Sequence, residues 1–171
     1  MPDCHILDLC TGTGCLALAI SKAFPEAHVY GTDISDSAMN FSKANAELNG
    51  IGTARFLQGS LFEPLEKDIR FDLVISNPPY IKHGDINLLQ PEIKDYEPAE
   101  ALDGGEDGLA YYRTIIPAAK AYLKQGGVLM LEIGLGQSRE IREMAEHEGL
   151  SGISLLRDYS GIERIFIAGK E

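Results

Sequence analysis

A short apolar segment, a glycine-rich turn and a longer apolar segment follow one another near the start of the chain. Residues 5–10 predict a strand, and residues 15–24 predict a helix that Pro25 ends. The glycines between them permit a tight turn, and the free N–H groups at the start of the helix favour an anionic group there. A strand, turn and helix joined in this way are typical of α/β folds.

Strands and helices continue to alternate along the rest of the chain. Strands are predicted over residues 27–33, 54–58, 71–76 and 127–133, and helices over residues 36–48, 109–124 and 137–148. Pro117 lies inside one predicted helix and predicts either a kink or a division into two. This alternation predicts a doubly wound, mostly parallel sheet covered by helices on both faces.

The last two predicted strands differ from the others. Only residues 157–161 separate the strand over 153–156 from the strand over 162–168, which is too short for a helical crossover. We therefore predict an antiparallel hairpin at one edge of the sheet. The predicted fold class is α/β, with a Rossmann-like, doubly wound sheet that resembles the seven-stranded class I methyltransferase fold.

Residues 81–107 form the longest segment without sustained periodicity. They contain two prolines and the pair Gly104-Gly105. A loop of this length in a compact domain is usually functional or disordered.

The composition predicts one compact protein domain. The chain has 171 residues, 44% of them hydrophobic, which is enough for one core and too few for two ordinary domains. We therefore predict a single domain over residues 1–171. No apolar run has the length of a membrane span, and no basic segment precedes an apolar one at the start. We expect a soluble, cytoplasmic protein without a membrane partner.

The net charge argues against a nucleic-acid partner, and the cysteine spacing argues against a metal site. The formal net charge is −11, which disfavours nucleic acid because non-specific binding to phosphates depends on clustered Lys and Arg. The three cysteines, Cys4, Cys10 and Cys15, lack metal-ligand spacing. They predict reduced thiols and no metal site.

The glycine-rich turn from Asp8 to Gly14 favours a nucleotide cofactor. In a methyltransferase the helix start would bind the carboxylate of a methionine moiety, and in a dinucleotide enzyme it would bind a pyrophosphate, since residues 12–17 also fit G-x-G-x-x-A. Asp33 ends the second predicted strand, where a carboxylate accepts hydrogen bonds from ribose hydroxyls. Both cofactors contain that ribose, so these residues do not choose between them.

The tetrapeptide Asn77-Pro78-Pro79-Tyr80 favours a methyltransferase over a dinucleotide enzyme. It follows the fourth predicted strand, at the edge where open α/β sheets bind ligands. An amide nitrogen is a poor nucleophile, and two acceptors that bind its two N–H bonds orient it toward a methyl donor. The Asn77 side-chain oxygen and the Pro78 carbonyl are suited to that role, the prolines keep the loop rigid, and Tyr80 offers an aromatic wall.

The chain resembles the HemK-type glutamine methyltransferases, which modify the Gly-Gly-Gln motif of peptide-chain release factors. Besides the two motifs above, the matching segments cover residues 96–98, 101–105, 107–109, 131–134 and 158–164. The resemblance implies S-adenosylmethionine as cofactor and a release factor as protein partner. It assigns Asn77, Pro78, Pro79 and Tyr80 to the acceptor glutamine, and Asn77, Pro78 and Tyr80 to catalysis. The cofactor residues are then Asp8, Cys10, Thr11, Gly12, Thr13, Gly14, Asp33, Leu61 and Asn77.

Two features depart from that family. Ser60 stands where many relatives carry an acidic residue, so the resemblance does not supply the contact to the adenine amino group. Relatives also usually have a helical N-terminal domain that helps to recognise the release factor. Here the first strand begins almost at Met1, and we expect that domain to be absent from this chain.

Four alternative functions remain open on the sequence. An adenine-N6 nucleic-acid methyltransferase also acts on a poorly nucleophilic nitrogen, because the lone pair of that amino group is conjugated to a ring. The acidic charge and the segment from Glu97 to Leu109 argue against this function. A ribosomal-protein glutamine methyltransferase would use the same tetrapeptide. A non-catalytic partner-binding module could retain the cofactor pocket, although the intact Asn77 loop favours chemistry. A nicotinamide dehydrogenase would need proton-transfer residues, and none accompany the glycine motif.

Overall fold

Seven strands form one sheet in the computed structural model, which describes residues 4–171. The strands are β1 (His5–Leu9), β2 (His28–Asp33), β3 (Ala54–Gln58), β4 (Phe71–Ser76), β5 (Leu123–Glu132), β6 (Ser151–Arg157) and β7 (Glu163–Gly169). Their order is β3-β2-β1-β4-β5-β7-β6. The first five are parallel, and β7 is antiparallel to both β5 and β6. The predicted fold class is confirmed, including the hairpin at one edge.

The predicted single domain began at Met1, and its first three residues lie outside the described residues. The assignment of residues 1–171 to one domain stays a prediction. Within residues 4–171, the structure contains no helix that is both long and apolar enough to cross a membrane.

Helices cover both faces of the sheet. They are α1 (Cys15–Ala23), α2 (Asp36–Leu48), α3 (Pro91–Lys94), α4 (Ala110–Tyr122) and α5 (Ser138–His147). Successive side chains of a strand point to opposite faces. Accordingly, Ile6 of β1 packs in a small apolar cluster with Ala17 of α1, whereas its neighbour Leu7 belongs to the large cluster that contains Tyr112 and Ile115 of α4.

The predicted division of the helix at Pro117 is wrong, because α4 is one continuous helix that contains this residue. A proline lacks an N–H, so the bond that is missing is the one to the carbonyl of Arg113. Pro117 is exposed, while Ile115, Ile116 and Ala119 are fully buried. Burial of that apolar face offsets the lost hydrogen bond and keeps the helix whole.

Two other segments contain more regular structure than predicted. β5 begins at Leu123, which pairs with Phe71 before the register shifts and Leu73 pairs with Val128. The polar and glycine residues at this irregularity concealed the start of the strand. Residues 81–107, predicted as a loop, contain α3 and two 3₁₀ helices, His83–Leu88 and Ala99–Ala101. This segment is called the insert below.

Candidate active site

A cavity of about 380 Å³ opens where β1, β2 and β4 end. Such an edge is where open α/β sheets bind their ligands. The lining residues predicted from the sequence are Cys10, Gly12, Thr13, Asp33, Leu61, Asn77 and Pro79. The structure therefore brings the glycine turn, the acidic strand end and the proline loop together at one site.

Asp8 lies behind the cavity wall and holds the glycine turn in shape. Its Oδ2 accepts hydrogen bonds from Thr11 Oγ1 at 2.6 Å and from Ala17 N at 3.2 Å. Asp8 is 2% exposed, and burial raises the pKa of its carboxyl to about 6. Asp8, Thr11 and Gly14 do not line the cavity. We infer that they shape it, and their predicted contact with a cofactor stays a prediction.

The turn closes against β3 with little free space. Gly14 has φ 81°, in the left-handed region, and its N–H donates to the carbonyl of Thr11 at 2.9 Å. A Cβ at Gly14 would lie 2.9 Å from the ring of Phe56. Glycine is required here by both the backbone angle and the close approach, as the sequence motif predicted.

Asp33 joins the two loops beside the cavity. Its Oδ2 accepts from Gly12 N at 2.8 Å, and its Oδ1 accepts from Ser35 N at 2.9 Å. An ionised carboxylate has about four lone-pair sites. Asp33 therefore keeps acceptor capacity for ribose hydroxyls while it fixes the glycine turn relative to the start of α2.

Two residues without glycine's freedom adopt left-handed backbone angles at the cavity wall. Cys10 has φ 56° and Leu61 has φ 49°, and both line the cavity. Such conformations cost about 1–3 kcal/mol each and concentrate at binding sites. Burial, followed by the charge of Asp33, raises the pKa of the Cys10 thiol to about 12. That thiol is protonated at neutral pH and is unsuited to act as a nucleophile.

The Asn77 loop divides its residues between the cavity and the core. The side chain of Asn77 is exposed and makes no hydrogen bond within the described part of the chain, and Pro79 stands beside it in the cavity wall. Pro78 is buried, and Tyr80 is half-buried. Neither Pro78 nor Tyr80 lines the cavity, and their assignment to the acceptor stays a prediction.

Tyr80 is anchored at both its ring and its backbone. Its hydroxyl donates to Glu132 Oε1 at 3.0 Å, and its carbonyl oxygen accepts from Gln137 Nε2 at 3.0 Å. Burial and the adjacent Glu132 raise the pKa of the Tyr80 phenol above its ordinary value. The hydroxyl therefore stays protonated and continues to donate to Glu132. Glu132, the last residue of β5, holds this tyrosine.

Sequence reasoning missed several parts of the site. Gln137 precedes α5 and binds the Asn77 loop from the side away from the cavity; its signal was a glutamine at a helix start near matched residues 131–134. The insert supplies part of the wall through Glu97, Pro98, Glu100 and Ala101, and α4 supplies Tyr111. Ile34 and Phe41 add apolar surface from the other side. The sequence matched residues 96–98 and 101–105 to the family without assigning them to the site, and only the fold brings these wall residues together.

The sheet order and the cavity at its carboxyl edge define a class I methyltransferase fold. A methyltransferase from Pyrococcus furiosus has the same fold with a TM-score of 0.75 and 19% identity, over 99% of this chain and 76% of that one. A T. thermophilus 16S rRNA methyltransferase, solved in complex with AdoMet and guanosine, has a TM-score of 0.69 and 21% identity, over 98% of this chain and 37% of that one. At these identities the likeness shows the fold alone.

The chain belongs to the methyltransferase small domain family, whose model matches residues 2–94. Among curated proteins, the release factor glutamine methyltransferase of Thermodesulfovibrio yellowstonii is 47% identical over 166 residues, which cover 97% of this chain and 59% of that protein. The chain spans little more than half the length of the curated relatives it matches. The resemblance predicted from the glycine turn and the Asn77 loop is thereby confirmed.

Proposed function

We propose that this chain uses S-adenosylmethionine to methylate the side-chain amide nitrogen of a protein glutamine, in the Gly-Gly-Gln motif of a release factor. The observation that carries the proposal is the Asn77 side chain, which is exposed at the cavity wall and has no hydrogen-bond partner among residues 4–171. A polar side chain held at a rigid loop and left unpaired is suited to bind an external polar group.

The residues of the cavity fit the proposed cofactor. Asp33 offers acceptors for ribose hydroxyls, and the turn before α1 offers N–H groups for a carboxylate. The apolar side chains of Leu61 and Phe41 give an adenine ring surface to contact. When bound, S-adenosylmethionine supplies an activated methyl group on a sulfonium. The AdoMet complex of the rRNA methyltransferase with the same fold supports this assignment.

The Asn77 loop would orient the acceptor. Asn77 Oδ1 and the carbonyl of Pro78 accept the two N–H bonds of the glutamine amide, which directs the nitrogen lone pair toward the methyl carbon. Neither oxygen accepts a hydrogen bond within the described residues. The bound cofactor would supply its methyl group to the amide nitrogen and keep the electron pair on sulfur, and one amide proton would leave to solvent. Orientation of this kind lowers the barrier without a general base.

The relatives favour glutamine over a nucleic-acid base as the acceptor. Their names specify release factor glutamine methylation at 37–47% identity over nearly the whole chain. The net charge of −11 opposes a phosphate backbone. The fold by itself does not decide, because an rRNA methyltransferase shares it.

Tritium transfer from labelled S-adenosylmethionine tests the proposal directly. The purified chain is incubated in parallel with release factor, a Gly-Gly-Gln peptide, DNA and RNA. A Gly-Gly-Asn peptide is the matched control, since it keeps the amide and shortens the side chain by one methylene. We expect label in release factor and in the Gly-Gly-Gln peptide. Label in RNA or DNA alone would establish a nucleic-acid methyltransferase, and cofactor binding without any transfer would favour a binding module.

A further inference from the structure

The Gln137 side chain connects three backbone segments behind the Asn77 loop. Its Nε2 donates to the carbonyl of Tyr80 at 3.0 Å and to the carbonyl of Gly108 at 3.1 Å. Its Oε1 accepts from Gly134 N at 2.8 Å. A single amide thus links the loop after β4, the residue that follows the insert and the turn between β5 and α5.

Glycines on two of these segments allow the backbone to approach this amide closely. Gln137 is 8% exposed. Gly108 has φ 77°, and a Cβ there would lie 2.5 Å from the Tyr80 carbonyl oxygen and 2.6 Å from Gln137 Nε2. A Cβ at Gly134 would lie 2.7 Å from Gln137 Oε1. The three segments are packed directly against the amide, so its hydrogen bonds set their relative positions.

We propose that Gln137 is a positioning residue for methyl transfer, which it serves by fixing the direction of the Asn77 loop through the Tyr80 carbonyl. The inference rests on the proposed function. Pro78, whose carbonyl is the second acceptor for the glutamine amide, stands two residues before the bonded Tyr80 carbonyl. The intervening Pro79 has a fixed φ, so restraint at Tyr80 is transmitted to Pro78.

The position of Gln137 separates this role from cofactor binding. Gln137 does not line the cavity and contacts neither the glycine turn nor Asp33 through its side-chain hydrogen bonds. Its loss should therefore reduce turnover far more than cofactor affinity. Small displacements of a reacting group lower rates by up to about 100-fold.

Gln137→Glu is the decisive variant. The introduced carboxylate keeps an acceptor for Gly134 N, but it faces the Tyr80 and Gly108 carbonyls without a proton to donate. At pH 8 we expect kcat for the Gly-Gly-Gln peptide to fall about 10- to 100-fold, with a smaller change in KM and an S-adenosylmethionine Kd within about twofold of wild type. Lowering the pH protonates the buried carboxyl, which restores an O–H donor for the Tyr80 carbonyl. The ratio of the variant's kcat to that of wild type should therefore rise toward one. A purely structural role would instead change the folded fraction and the S-adenosylmethionine Kd in parallel with kcat, whereas positioning leaves both unchanged.

Two further variants complete the test. Gln125→Glu makes the same chemical change at an exposed position in the first half of β5, away from the cavity, and should match wild type at every pH. Gln137→Met fills the space without hydrogen bonds and should lower kcat at all pH values without recovery. A folded Gln137→Glu variant with near wild-type kcat at pH 8, or a folded Gln137→Met variant with near wild-type kcat at any pH, would overturn the inference. So would loss of cofactor binding together with turnover in both Gln137 variants. Failure of the wild-type chain to methylate the peptide would instead overturn the proposed function.

Discussion

The glycine turn and the Asn77 loop meet at one cavity, but they are held in different ways. The turn is shaped by contacts within itself, such as Thr11 with Asp8, and by bonds from the next strand and helix, where Asp33 accepts from Gly12 and Asn45 donates to Thr13. The loop is held by residues far along the chain. Tyr80 binds Glu132, 52 residues away, and Gln137, 57 residues away.

This difference separates preorganisation by adjacent elements from preorganisation by elements far along the chain. The hydrogen bonds that hold the turn come from the segment that runs from β1 through α2. A loop held by distant partners has its geometry only when the insert, β5 and α5 are in place. We therefore expect substitutions on the turn side to act on cofactor affinity or local stability, and substitutions on the loop side to act on turnover.

Asn77→Ala should have the largest effect and tests the loop side of the comparison. Removal of one preorganised polar contact from an active site lowers turnover by roughly 10²–10³, or about 2.7–4 kcal/mol. Cofactor affinity should fall much less, because the glycine turn and Asp33 remain. Single-turnover methylation of the Gly-Gly-Gln peptide, with calorimetry of cofactor binding, measures both.

Asn49→Ala is the matched control for Asn77, since Asn49 caps the far end of α2 through its bond to the carbonyl of Asn45. It should leave turnover unchanged. Near wild-type methylation by Asn77→Ala would mean that the loop is only a turn. The proposed role of the loop in orienting the acceptor glutamine would then be wrong.

Asp8→Asn tests whether the turn side carries a stability cost. The folded-state pKa of Asp8 is raised to about 6 from 3.8, so the folded protein binds more protons than the unfolded chain between these values. Stability is therefore lost as the pH rises from about 4 to about 7. The free energy of unfolding of wild type minus that of Asp8→Asn should therefore fall by at most about 3 kcal/mol across that range.

The asparagine oxygen can keep the bonds to Thr11 and Ala17, because one oxygen of Asp8 accepts both. Urea unfolding at several pH values measures the difference. A difference that does not change with pH would show that Asp8 is not held at a raised pKa. The turn would then carry no electrostatic cost.

Asp33→Asn should weaken cofactor binding by roughly 1.5–3 kcal/mol, the value of a hydrogen bond to a charged group. An amide has one acceptor oxygen, so the variant also loses a bond to Gly12 or Ser35. Asp36→Asn is a matched control in the first turn of α2, where Asp36 bonds Asn40 rather than the glycine turn. Calorimetry gives both dissociation constants. An unchanged constant in folded Asp33→Asn would remove this residue from the site.

The same contrast explains what the sequence predicts. The glycine turn, Asp33 and the strand before Asn77 were found because each depends on a local pattern. The bounds of β3 and β4 match the predicted ranges 54–58 and 71–76 for the same reason. The helix was predicted, but the sequence left open whether Pro117 divides it; α4 is continuous because tertiary burial of Ile115 and Ile116 outweighs the local effect of Pro117. Gln137 and the wall residues of the insert were missed because their partners lie far away in sequence.

The smallest expected effect concerns the base of the insert, which directly follows the Asn77 loop. His83 Nδ1 lies 2.7 Å from Asp103 Oδ2, and Gly104 N donates to the carbonyl of Ile81 at 2.8 Å. The hydrogen bond to Asp103, followed by its charge, raises the pKa of His83 above its ordinary value. Asp103→Asn keeps an acceptor for Gly105 N but removes that charge, so the pKa of His83 should return toward its ordinary value.

The effect on turnover separates two models of how the loop is held. His83 is largely exposed, so the ion pair is screened by solvent and contributes little to stability. If the loop depends on Gln137 and Glu132, Asp103→Asn should leave kcat within about twofold of wild type at neutral pH. NMR titration of His83 and peptide kinetics measure the two quantities. A large loss of kcat, with the pKa of His83 shifted as expected, would show that this exposed pair helps to hold the loop together with the buried hydrogen bonds.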